Sequence, residues 1–285
     1  MSQGKIFHWL SFTKLILTKG SVWIKPFHYQ NNAKALWSGN PEAKKLGIND
    51  KLQNRSFKHY ILFLPIIGPL VGLISQYRLQ KRWPTYVYHW PEKKLAYVRI
   101  SKSACTSVQA AILQKQYPDV DISSLGVDHI NEMGKMYIKP YLEPGYECFT
   151  LVRNPHDRIL SCYFDQVLGR DHHFYYGDYA FRIIKKGMPF RDFVNTIKHI
   201  PHSLKDIHFR QQYEYIRPLE NIKYFRIEKD YKELTAYLEK FNLQLGDFNK
   251  NKIGFNKSDY FTTEIKRTIE EIYRKDYEYF GYSIN

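Results

Sequence analysis

Val98-Arg99-Ile100-Ser101-Lys102-Ser103-Ala104-Cys105-Thr106-Ser107, followed further along by Phe149-Thr150-Leu151-Val152-Arg153-Asn154-Pro155-His156-Asp157-Arg158-Ile159-Leu160-Ser161-Cys162-Tyr163, decides how this chain is read. Each stretch runs from an apolar strand-like segment, through a turn of small or hydroxyl residues, into an apolar-periodic helix. That order sets backbone N–H groups and cationic side chains at a helix N-terminus, where orphan amides and the macrodipole favour an anion. Two such turns in one chain are two candidate phosphate cradles.

Working outward, a chain of 285 residues, 44% of them hydrophobic, is long enough to bury the core of one large α/β domain. The 43 Lys and Arg against 28 Asp and Glu give a formal charge of +15, which favours polyanions, anionic membrane surfaces or phosphate-bearing small molecules. The basic residues are dispersed, with no basic arm, zinc-finger spacing or RNP-like motif, so nucleic acid is not expected as a partner. Cys105, Cys148 and Cys162 form an odd set and read as reduced thiols. At the N-terminus, Ser11, Thr13 and Lys14 interrupt the apolar run from Phe7 to Leu17 and no convincing small-residue cleavage site follows. No secretory signal is read there, and a cytoplasmic location is expected.

Residues 1–84 read as an N-terminal appendage and 85–285 as the main domain. The appendage holds an uncharged apolar run, Ile61 to Ile74, flanked by Arg55 and Lys58 on one side and by Arg78, Lys81 and Arg82 on the other. A spanning helix needs roughly 20 apolar residues, and Pro65 and Pro69 break this shorter run. Two readings stay open. One is a shallow hairpin in one leaflet whose basic flanks meet an anionic cytoplasmic surface, making the protein peripheral or monotopic; the other is a buried loop-helix of the globular core.

From Thr85 the pattern is α/β. Tyr86 to Trp90 and Leu95 to Ile100 read as strands around a turn at Pro91 to Lys94, Ser107 to Gln114 as a helix, 119–147 as less regular, and Glu147 to Val152 as a strand. Helical character recurs around Ile159 to Phe164 and from Phe181 to Ile200, interrupted near Gly187 and Pro189. A strand over Ile222 to Ile227 precedes an amphipathic helix expected to bury Tyr231, Leu234, Tyr237, Leu238 and Phe241, and one long helix is expected from Thr262 to Tyr279. Strands capped by helices in this order indicate a mostly parallel central sheet flanked by helices, with ligands at the carboxyl ends of its strands.

In the first motif Lys102 follows the strand at once, and Ser103, Ala104, Cys105, Thr106 and Ser107 are small enough for the backbone to wrap a phosphate. Thr106 and Ser107 add hydroxyls at the helix start; on capping grounds alone such a segment is commonplace. The Walker pattern is missing, because the lysine precedes the small-residue turn instead of ending it. In the second motif Arg153 and Arg158 bracket an Asn-Pro turn. Ser161 shares a helical face with Arg158, so a guanidinium and a hydroxyl could grip one phosphate while Arg153 approaches from the turn. The bland alternative is a helix with Pro in its first turn, Asp157 favouring the dipole and the arginines as solvated charge.

Taken together, the pair resembles the 5′-phosphosulfate loop and the 3′-phosphate motif of sulfotransferases that use 3′-phosphoadenosine 5′-phosphosulfate (PAPS). It is most similar to the carbohydrate sulfotransferases of family 2, typified by the Golgi enzymes. Two later stretches extend the likeness: Asp206-Ile207-His208-Phe209-Arg210-Gln211-Gln212 is similar to the family's Asp-x-His-aromatic-x-Pro-Gln segment, and the tail resembles the family through Phe225 to Glu228, Asn256-Lys257-Ser258 and Tyr273 to Tyr282. Ser101, Ala104 and Gln211 stand where the family usually has Pro, Gly and Pro; none of these departures removes a charged contact.

The resemblance implies a three-layer, P-loop-like sulfotransferase fold and in-line transfer of a sulfuryl group from PAPS, a co-substrate, to an acceptor hydroxyl on a carbohydrate or glycolipid, with no metal. Under it Lys102 stabilises the departing phosphate oxygen, and the N–H groups of residues 103 to 107 with the Thr106 and Ser107 hydroxyls hold the 5′-phosphate. Arg153 and Ser161 hold the 3′-phosphate, Lys257 closes over that end, and Arg158 supports the site by pointing along the helix toward carboxylates. A histidine is the side chain best matched to the general-base role at neutral pH. His129, 24 residues before Arg153, is slightly preferred over His208, with Glu132 a weaker candidate. A P-loop-type kinase and a non-enzymatic basic protein for phosphorylated ligands or nucleic acid are the competing readings.

Overall fold

The hairpin expected at the start of the main domain forms, β1 (Thr85–Trp90) pairing antiparallel with β2 (Leu95–Val98) in the register Val87 to Val98 and Trp90 to Leu95. Pro91 opens the 3₁₀ turn between them, and Lys94 closes it in the left-handed region at φ 45°. These observations come from a computed structural model that describes residues 85–284 apart from 126, 138–140, 169–182, 185–186, 203–204 and 246–256. The 61–74 segment and the rest of the expected appendage lie outside the described residues, as do Phe181, Arg182 and Asn256.

β3 (Lys135–Tyr137), β4 (Glu147–Val152) and β5 (Ile222–Arg226) complete a sheet in the order β3-β1-β2-β4-β5. β2, β4 and β5 are mutually parallel, β1 runs antiparallel to β2, and the edge strand β3 pairs antiparallel with β1. The helices in chain order are α1 (Cys105–Gln116), α2 (Val127–Met133), α3 (Pro155–Cys162), α4 (Phe190–His199), α5 (Tyr213–Ile216), α6 (Tyr231–Glu239), α7 (Thr263–Ile272) and α8 (Arg274–Phe280).

Strand alternation builds the three layers. Leu95, Tyr97, Phe149 and Leu151 share one buried cluster with Val108 and Ile112 of α1 and with Leu234 and Leu238 of α6. Ala96, Val98, Cys148 and Val152 share the other with Ile159 of α3, Phe193 of α4, Ile269 of α7 and Tyr277 of α8. A sheet covered on both faces needs apolar residues at every strand position, which is why β2 reads Leu-Ala-Tyr-Val with all four residues buried. α1 leaves β2 toward one face and α3 leaves β4 toward the other, so both quoted motifs open at adjacent carboxyl ends.

Some local expectations are corrected. The stretch 119–147 contains a helix, α2, and an edge strand, β3. The long C-terminal helix is two helices, broken at Tyr273 (φ −111°, ψ 22°), whose hydroxyl donates to the Phe209 carbonyl at 2.8 Å in the core. Tyr231 does not face inward: as the first residue of α6 it lies 60% exposed. All three cysteines are buried and none is in a disulfide; burial pushes the Cys148 thiol up to about 11. No helix among the described residues is long and apolar enough to cross a membrane.

Lys205 is the unusual core residue, 1% exposed, with its Nζ donating to the Ile200 carbonyl at 2.5 Å. Burial drives its amine down to about 7. Between that value and the ordinary 10.5 the unfolded chain binds a proton that the folded chain does not, so this group's contribution rises with pH, by at most about 1.4 kcal/mol per pH unit. Denaturant unfolding at pH 7 and pH 9 is expected to show wild type gaining stability relative to Lys205→Met; equal gains would mean that the amine stays charged in the fold.

Candidate functional site

The turn after β2 is unusual in its backbone. Lys102 (φ 66°) and Ala104 (φ 53°) both adopt the left-handed region, where a residue with a Cβ pays about 1–2 kcal/mol. Ala104 is the N-cap of α1, and no side chain caps the helix. The Ser/Thr capping that could have explained this segment is therefore not what Thr106 and Ser107 do: both are half-buried within the first turn. Cys105 and Ser103 are buried, and the Ser103 hydroxyl donates to Gln212 Oε1 at 3.0 Å. An α-helix of this length with an uncapped N-terminus, entered through two left-handed residues, is a concave array of N–H groups suited to a phosphate.

The second motif is built differently. Asn154 caps α3 conventionally, its Oδ1 accepting from the His156 N–H at 2.9 Å, with Pro155 in the first turn. This turn therefore differs from the first in that the His156 N–H is already taken by the cap. What it offers is side chains. Arg153 is half-buried and extends a guanidinium N–H to the Lys102 carbonyl at 3.3 Å, lying across the first loop. Ser161 is half-buried on α3. Lys257 reaches the first turn of the same helix, its Nζ 2.7 Å from Asp157 Oδ1 and its side chain 62% exposed.

Arg158 does not share in gripping an anion, nor does it reach along the helix to carboxylates. It is 1% exposed, and its Nε donates to the Ser101 carbonyl at 2.9 Å, with further bonds to the carbonyls of Arg210 at 2.7 Å and Ile207 at 3.4 Å. The side chain turns inward because a buried guanidinium needs several acceptors, and only the turn after β2 and the 206–212 segment supply them.

Lys102 has a partner that sequence reasoning missed. Its Nζ lies 2.8 Å from Asp165 Oδ2, both side chains 14% exposed, in the π-helical run Tyr163–Leu168 that continues α3. Asp165 lies four residues beyond Ser161, a spacing that on a helix predicts a shared face, and that was the available signal. Gln212 and Asp276 were missed as well. Asp276 is fully buried and accepts from the Gln212 and Tyr213 backbone N–H groups at 3.0 and 2.8 Å. Burial raises its carboxyl to about 6 against the opposing pull of Arg158 and these N–H groups.

The histidines occupy different places. His208 is half-buried beside Asp206, whose Oδ1 lies 2.5 Å from Nδ1 and also accepts the His208 N–H. A carboxylate at Nδ1 holds that nitrogen as the donor and leaves Nε2 as the basic one. His129 is buried on α2, next to Ile130, whose carbonyl accepts from Tyr88. Glu132 lies on the same helix. Among the described residues no group of three or more His, Cys, Asp or Glu converges as metal ligands.

The fold and these two loops together define the class. A family model described as the sulfotransferase family matches residues 86–283. The chain belongs to that family, whose chemistry is transfer of a sulfuryl group to an acceptor, and its central sheet flanked by helices is the sulfotransferase architecture. No curated protein and no solved structure gives a significant match.

Replacing Arg158 by Met is expected to leave the carbonyls of Ser101, Ile207 and Arg210 without their donor, costing on the order of 3 kcal/mol. Lys at the same position should recover little, since one ammonium cannot span three acceptors. Denaturant midpoints of the two variants check this; a near-wild-type midpoint for Arg158→Met would refute the bridging role.

Proposed function

We propose that this sulfotransferase takes its sulfuryl group from 3′-phosphoadenosine 5′-phosphosulfate and delivers it to a hydroxyl on a carbohydrate or glycolipid. The observation that carries the reading is the uncapped N-terminus of α1 next to the Arg153 guanidinium, which donates to the Lys102 carbonyl of the same loop. The N–H groups of residues 103 to 107, with the hydroxyls of Thr106 and Ser107, bind the 5′-phosphate. Arg153 and Ser161 bind the 3′-phosphate, and Lys257 closes that end.

The acceptor oxygen attacks sulfur in line, an O–S bond forms, and the bond from sulfur to the bridging phosphate oxygen breaks with its electron pair. The leaving group is adenosine 3′,5′-bisphosphate, and the acceptor proton passes to a base. Charge grows on the bridging oxygen, so a cation there stabilises the transition state more than the ground state. Lys102 is that cation, and it exchanges Asp165 for the departing oxygen. A histidine takes the proton. His129 is the first choice from its placement before the second motif; the Asp206 contact favours His208 as a second reading, because a base oriented by a carboxylate is the arrangement of activated nucleophile sites.

Thermal shift with adenosine 3′,5′-bisphosphate, ATP and an oligonucleotide separates this reading from a kinase and from a phosphate-binding module. Selective stabilisation by the bisphosphate is expected, and equal or absent stabilisation would end the proposal. Lys102→Ala is expected to lower kcat by about a hundredfold or more with a small change in bisphosphate affinity, whereas Arg153→Ala should chiefly weaken binding.

For the base, His129→Ala is expected to abolish transfer with bisphosphate binding intact. Full turnover in that variant together with loss in His208→Ala would reverse the order. The acceptor is identified by screening labelled donor against glycans, glycolipids and phenols; turnover on phenols alone would overturn the carbohydrate assignment.

A further inference from the structure

Gln212 is fully buried, and each of its amide positions is spent between the two loops. Its Oε1 accepts from the Ser103 hydroxyl at 3.0 Å in the first loop and from the Arg153 N–H at 2.9 Å in the second. Its Nε2 donates to the Arg153 carbonyl at 2.8 Å and toward Asp276 Oδ2 at 3.4 Å. The chemistry fixes the amide orientation: the Arg153 N–H requires the oxygen, the carbonyl and the carboxylate require the NH₂, and the Ser103 hydroxyl is then the donor. Both acceptor directions and both donors are then occupied, so the side chain has nothing left to offer a ligand.

The amide is itself fixed from behind. Asp276 takes the Gln212 backbone N–H and the Tyr213 N–H, and neighbouring Gln211 donates to the Ile272 carbonyl at 2.6 Å. The break at Tyr273 sets Asp276 at this position on α8. Gln212 therefore stands on a rigid base and holds the backbone of Arg153 against the side chain of Ser103.

We propose that Gln212 is a positioning residue that keeps the two phosphate loops at a fixed separation, so that a nucleotide carrying a phosphate at each end binds as one rigid ligand rather than as two independent anions. This rests on the nucleotide reading given above. Two subsites held in register give the second phosphate a high effective concentration once the first is seated. Loops that drift lose that gain while each keeps its own phosphate contacts.

The test compares three probes, adenosine 3′,5′-bisphosphate, adenosine 5′-phosphate and adenosine 3′-phosphate, by calorimetric titration of the full chain and of Gln212→Met, which keeps the volume and removes the amide. The bisphosphate is expected to lose at least about tenfold in affinity and each monophosphate less than about threefold. An equal loss for all three, or no loss with only a lower Tm, would show that Gln212 merely stabilises the fold and would overturn the proposal. If Gln212→Met fails to fold, Ser103→Ala cuts a single bond of the bridge and is judged by the same ratio. A wild-type chain that does not prefer the bisphosphate to either monophosphate would instead sink the nucleotide reading itself, an outcome distinct from a wild-type preference that survives in the variant.

Discussion

A guanidinium buried in the core has to find several acceptors or the fold does not form, and the position of Arg158 follows from that requirement. Its three carbonyl partners belong to two segments far apart in sequence, Ser101 at the end of the first strand-to-helix path and Ile207 with Arg210 in the later His-containing stretch. Asp276 is the opposite charge in the same interior, its ionised form favoured by Arg158 and disfavoured by burial. Because these groups cannot be hydrated, their hydrogen bonds are all-or-none commitments. The 206–212 segment is thereby held against the turn after β2, and Gln212 and His208 acquire their places relative to Lys102.

With that scaffold in place, the two strand-to-helix loops take different solutions. The first pays for left-handed Lys102 and Ala104 and leaves its helix uncapped, a local cost of the kind that persists only where surrounding contacts over-determine the backbone. Those contacts are the buried Ser103 hydroxyl on Gln212 and the Arg153 guanidinium on the Lys102 carbonyl. The second loop spends its asparagine on its own helix and presents charge through side chains instead. Asp165 completes the contrast by pairing with the Lys102 ammonium at a partly buried position, where an unpaired cation would be costly.

Much of this was legible beforehand because it depends on local rules. Apolar and aromatic runs bounded by turn residues outline β1, β2, β4 and β5, and Pro155 after Asn154 marks the start of α3. The order of the motifs points to the family. The errors came where a residue's role depends on something distant. Arg158 and Ser161 sit on one helical turn as the spacing says, yet one turns into the core and the other stays at its margin. Periodicity ran on through Tyr273 because an aromatic suits either a continuous helix or a break; its hydrogen bond to Phe209 decided for the break.

Sequence by itself determined the α/β plan and the placement of both strand-to-helix turns at strand carboxyl ends, since periods, caps and turn residues act over a few positions. Tertiary structure alone decided which polar groups are consumed and which remain for a ligand. Arg158 is used internally, and Gln212 and Asp276 are bonded between distant segments. Lys102 is paired with Asp165, Arg153 lies across the first loop, and the start of α1 carries no side-chain cap. The physical reason is that a buried donor or acceptor must be matched, and the matching partners lie 50 to more than 100 residues away.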